Sequence, residues 1–103
     1  MQNKQDNTLK SYAELKDECA AVFYKEVEKF FAKGMLVFVA EDLDIIKVAM
    51  AIAADDTEQI QQWIAGEQVL RVHDEFAKKW SANNEVMMAI TAVPCVLVQE
   101  INS

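Results

Sequence analysis

The chain has 103 residues, enough for one domain of ordinary size and too few for two. Apolar residues make up 52%, with only two Gly and one Pro, which excludes a linker or disordered segment as the bulk of the molecule. The net charge is −7, and residues 34–103 carry all of it: four bases there face eleven acids, while residues 1–33 hold six of each. A surface of that sign repels phosphate backbones and anionic lipid.

Residues 1–7 are polar and read as a disordered N-terminus, leaving 8–103 as a single domain. From Leu9, the apolar positions Tyr12, Leu15, Cys19, Val22, Phe23, Val27, Phe30 and Phe31 recur at helical spacing. Thr8 is placed to cap this run and Gly34 to close it. A helix of about 25 residues is long for so small a domain, so a break is expected between Val22 and Lys25. Met35 to Ala40 follows as a strand buried on both faces.

Leu43 to Ala54 is apolar nearly all round, with Lys47 its one charged residue after Asp44, and is expected to be the core helix. Asp42 is placed to cap it and Asp44 to sit in its first turn. Asp55 and Glu58 have the spacing of a capping box for a second helix, Thr57 to Ala65, with Gly66 as its left-handed stop. Gln68 to Val72 reads as a strand, Asp74 opens a short helix with Phe76, Ala77 and Trp80 inward, and Ser81 to Asn84 has turn composition. Val86 to Ile101 reads as two strands joined at Pro94, with one bent strand as the alternative. The expected fold is α+β: helices on a small, mostly antiparallel sheet of three to four short strands.

Phe31-Ala32-Lys33-Gly34, Leu43-Asp44-Ile45-Ile46-Lys47-Val48-Ala49, Ala53-Ala54-Asp55-Asp56, Trp63 and Val93-Pro94-Cys95-Val96-Leu97-Val98-Gln99-Glu100 together resemble a family of small bacterial proteins, a domain of unknown function. The likeness covers about Tyr24 to Glu100. That family tends to place an aromatic after the proline, where this chain has Cys95. The resemblance implies a bacterial cytoplasmic protein and supplies no activity or ligand. The element order also has a weaker, architectural likeness to a winged helix-turn-helix domain, with Trp63 to Arg71 in the place of a recognition helix running into its strand; the helix around Phe76 to Trp80 departs from that pattern.

Three kinds of chemistry can be weighed. Gln59, Gln61 and Gln62 could read adenine from the second helix, but residues 44–66 hold one Lys against Asp44, Asp55, Asp56 and Glu58, so phosphate repulsion opposes it and nucleic acid is not the expected partner. Asp42, Asp44, Asp55 and Asp56 are oxygen donors suited to a hard cation, yet each already serves as a cap or first-turn anion, so no metal or other cofactor is expected. His73 could act as a base only if the fold brought Cys19 or Cys95 to it; both thiols lie in apolar runs without a signal peptide, as free thiols in a reducing compartment do. No apolar run reaches the roughly 18 residues of a membrane span. What remains is a non-enzymatic protein-interaction or accessory module in the cytoplasm, expected to have a protein partner and to form a homodimer. Gln59, Gln61, Gln62, Tyr12 and Met87 are its candidate surface. A winged-helix regulator binding DNA and a small enzyme or ligand-binding protein are the alternatives.

Overall fold

A computed structural model describes residues 9–101; the expected disorder of 1–7 and the cap at Thr8 lie outside them. The elements are α1 (Tyr12–Glu18), β1 (Ala20–Phe23), α2 (Tyr24–Ala32), β2 (Leu36–Val39), α3 (Ile45–Ala53), α4 (Thr57–Ala65), β3 (Val69–Arg71), α5 (Asp74–Asn83), β4 (Val86–Ala92) and β5 (Cys95–Glu100).

The expected α+β fold is present, with a larger sheet than the three to four strands anticipated. Five strands lie in the order β1-β4-β5-β2-β3. Three of the pairings are antiparallel and β2 with β5 is parallel. The additional strand is β1, and the expected break falls earlier than Val22 to Lys25: the chain leaves the first helix at Cys19 and is helical again from Tyr24. Ser11 caps α1 in a capping box with Glu14, and Cys19 ends it in an extended conformation with its N–H on the Leu15 and Lys16 carbonyls. The next four residues pair with β4, Ala20 to Ala89 through Phe23 to Val86. Their apolar spacing is also compatible with a helix, and tertiary pairing decides between the two.

Helices cover both faces of the sheet. On face A, α1, α3 and α4 pack Leu15, Ile46, Val48, Ala49 and Trp63 onto Val39, Ile90 and Leu97. On face B, α2 and α5 pack Tyr24, Val27, Ala77 and Trp80 onto Leu36, Met87, Val96 and Val98. The alternation along each strand sends successive side chains to opposite layers, so Val96, Leu97 and Val98 are all buried. This is why β5 reads as a continuous apolar run. Each such Val or Leu contributes about 1.5–3 kcal/mol by leaving water. α3 and α4 keep the helix–corner–helix order, within a five-stranded mixed sheet sandwiched by helices.

Several boundaries differ from the sequence reading. Asp44, not Asp42, caps α3: its Oδ1 accepts the Ile46 N–H at 2.9 Å, while the chain before it turns with the Leu43 N–H on the Ala40 carbonyl. Asp56, not Asp55, caps α4 by accepting the Gln59 N–H, and Asp55 takes the left-handed turn at φ 57°. Gly66 has φ −86°, and Glu67 at φ 60° makes the left-handed step. α5 runs through the expected turn and stops only at Asn84, φ 45°. The strands meeting at Pro94 are two, as one of the two readings had it.

Candidate functional site

The sheet ends differ in how well they are covered. On β4, Ile90 and Ala92 belong to the face-A core, so Val86 and Met88 point to the same face by strand alternation. Their cross-strand partners on β1 are Phe23 and Ala21. Beyond the Met87–Glu100 pair, Ile101 continues β5 next to Val86. The result is a row of Phe23, Val86 and Ile101 across three neighbouring strands, 51%, 43% and 45% exposed, with exposed Ala21 and half-buried Met88 behind it. Three large apolar side chains in adjacent register positions form one patch rather than scattered exposure.

The edge beside this patch is closed to strand addition. The Tyr24 N–H donates to the Glu85 carbonyl across β4, so Ala21 and Phe23 direct their backbone groups outward. The Phe23 N–H is taken by Glu26 Oε2 at 3.0 Å, and the Cys19 N–H by the end of α1. Only the Ala21 N–H is left between them. Such capping blunts an edge strand, so whatever approaches here meets side chains of the sheet face.

The floor next to the patch is rigidly pinned. Gln99 Nε2 donates to the carbonyls of Ala40 at 2.8 Å and Leu43 at 2.6 Å, holding the loop that leads into α3. Tyr12 Oη donates to Asp44 Oδ2 at 2.7 Å. Burial works against ionising Asp44, but the Tyr12 hydroxyl and the amides of Ile46 and Lys47 outweigh it and hold the carboxyl below its ordinary range. The same bond to Asp44, helped by burial, pushes the Tyr12 hydroxyl up. Burial, with Asp44 second, pushes the Cys19 thiol up, away from the thiolate a nucleophile needs.

Of the expected surface residues, Gln61 and Gln62 are exposed, Gln59 is half-buried and Tyr12 is 39% exposed. Met87 is corrected: it has no exposed surface and packs with Tyr24 and Trp80 on face B. The glutamines sit on α4, at the β3 side of the molecule, away from the Phe23 row. His73 stands at the start of α5 with its ring 4.6 Å from Phe76. Cys19 precedes β1 at the opposite edge, four strand spacings or about 19 Å away; Cys95 lies two spacings off, about 10 Å. Neither thiol forms a base–nucleophile pair with the imidazole. Among the described residues no group of three His, Cys, Asp or Glu side chains gathers as metal ligands do. No helix among them is long and apolar enough to cross a membrane.

Hollows open elsewhere on the surface, away from the patch. A cleft of about 310 Å³ opens between α1, α3 and the β4–β5 turn, lined by Leu15, Ala49, Ile52, Ala53 and Val93, with the Lys10–Glu18 ion pair at its mouth. A second, about 290 Å³, is polar and lies between α2 and α5, lined by Tyr24, Lys25, Glu28, Ser81 and Asn84. The buried Tyr24 hydroxyl beside it has no protein hydrogen-bond partner.

The fold and surface define a small α+β domain in which, among the described residues, one end of the sheet is uncovered. The chain belongs to the family described as "Protein of unknown function (DUF2288)", which matches residues 10–100. It is also similar to a protein of Pseudomonas aeruginosa, PA1075, whose solution structure was determined by NMR. The two are 33% identical with a TM-score of 0.81, over 100% of this chain and 94% of the other. No curated protein matches the sequence. The bacterial family expected from the Leu43–Ala49 helix and the Val93–Glu100 segment is therefore the right one. Its distinctive residues have structural tasks here: Asp44 caps, Gln99 pins a loop, and Glu100 accepts the Trp80 indole N–H at 3.0 Å.

Proposed function

We propose that the protein is a non-enzymatic, cytoplasmic protein-interaction module that docks through the uncovered end of face A. The observation that carries this reading is the contiguous Phe23–Val86–Ile101 row beside an edge strand closed to backbone pairing. An apolar patch rimmed by polar residues is what an interaction site requires. The acidic excess supports a protein partner over nucleic acid: around Gln61 and Gln62 stand Asp55, Asp56, Glu58 and Glu67, which add repulsion to any phosphate approach.

The experiment is co-purification from the native cell with the full chain and with a Phe23→Ser/Val86→Thr variant. The wild type is expected to retain a stoichiometric protein that the variant loses. Identical retention by both would remove this surface from the reading. Salt-sensitive capture of duplex DNA instead would favour the DNA-binding alternative.

A further inference from the structure

We infer that the occupant of the uncovered end of face A is a basic amphipathic helix of a partner protein, an inference that rests on the docking reading above. The spacing suits a helix. The Phe23, Val86 and Ile101 positions span two strand separations, about 10 Å, and residues i and i+7 of a helix lie about 10.5 Å apart along its axis. A helix laid across the strands therefore meets all three with i, i+3 or i+4, and i+7. The rest of face A is already covered by α1 and α3, so such a helix continues a layer the sheet is built to carry. With the Phe23 and Cys19 N–H groups occupied, an added strand has no comparable purchase.

The rim sets the sign of the occupant. Glu26 lies against the Phe23 amide, whereas Glu85 turns by strand alternation to the other face, where its charge acts on Lys79. The loop tied to Gln99 carries Glu41 and Asp42 and leads to Asp44. Lys16, on the Tyr12 side of α1, and Lys47, whose charge acts on Asp44, are bases that temper them, while Lys25 lines the polar hollow between α2 and α5 on the other face. A second copy would set one acidic rim against another, which like-charge repulsion disfavours. Lysines or arginines flanking the apolar stripe of a helix satisfy the same rim.

The probes are two synthetic amphipathic helical peptides of about 14 residues, with Leu at i, i+4 and i+7 and flanks of Lys in one and Glu in the other. Fluorescence anisotropy and amide NMR shifts are measured on the full chain. The Lys peptide is expected to shift the amides of Phe23, Val86 and Met88. Its affinity should fall at least about tenfold from roughly 50 to 500 mM salt, and at least about tenfold with Phe23→Ser/Val86→Thr. Equal binding of both peptides at this patch overturns the basic-helix inference while leaving the docking surface standing. So does a dimer seen by light scattering and lost in the variant, since the occupant is then a second copy. Lys-peptide shifts confined to other surfaces, with the wild type monomeric, overturn the inference and the docking reading together.

Discussion

Trp80 has no exposed surface, yet its indole N–H must find an acceptor, and Glu100 supplies one from the last turn of pleat on β5. The indole bond holds the Glu100 carboxyl below its ordinary range, against opposing burial, with Lys79 assisting. Asp44 is lowered as well. A carboxylate whose folded pKa is depressed stabilises the fold above its unfolded pKa and loses that contribution as pH falls through the folded value. The thermal midpoint is therefore expected to be flat above about pH 5 and to drop below about pH 4, with a shallower drop in Glu100→Gln and Asp44→Asn when melting is followed by circular dichroism. Tyr24 presents the opposite case: its hydroxyl is buried without a protein partner. Tyr24→Phe removes a desolvated group that makes no bond and should leave stability unchanged or raise it by up to about 1 kcal/mol. A loss of more than about 1 kcal/mol in urea titration would mean that something outside the chain satisfies that hydroxyl.

At the scale of elements, the loop between β2 and α3 is tied to the sheet by one side chain of β5. Gln99 reaches from β5 to the carbonyls of Ala40 and Leu43, the first of which also accepts the Leu43 N–H. Gln99→Ala is expected to cost about 1–3 kcal/mol in chemical denaturation and to speed amide exchange at Leu43 and Asp44. The sequence made the core helix, the Leu36–Val39 strand and the pair meeting at Pro94 legible, because each is a long apolar run with few competing readings. It hid β1, since Ala20-Ala21-Val22-Phe23 lies between helical runs and obeys their spacing. The start of α2 gave no signal, because Phe23 at the cap position has no side-chain oxygen and Glu26 works alone. At the α3–α4 corner two adjacent aspartates were available, and only the chain path selects which one caps.

For the whole molecule, the exposed apolar row was illegible in sequence for a related reason. Phe23, Val86 and Ile101 are far apart in the chain, and strand register alone makes them neighbours. Composition did anticipate the sign of the surroundings, because the acidic excess is spread over residues 34–103. Since Phe23 and Val86 are half exposed, the Phe23→Ser/Val86→Thr variant should fold with a stability loss of less than about 1.5 kcal/mol, measured by urea unfolding. A larger loss would place these side chains in the core rather than on a surface reserved for a partner.

The order of the strands bears on how the chain reaches this state. β5 is the sole bridge between β4 with β1 on one side and β2 with β3 on the other, and its parallel neighbour pairs Leu36 with Val96. Neither half of the sheet can join the other until that late segment threads between them. Closing so long a loop is slow relative to forming local helices. A nascent or transiently opened molecule thus presents two unfinished half-sheets, and protection from aggregation during synthesis rests on how quickly Cys95–Glu100 inserts.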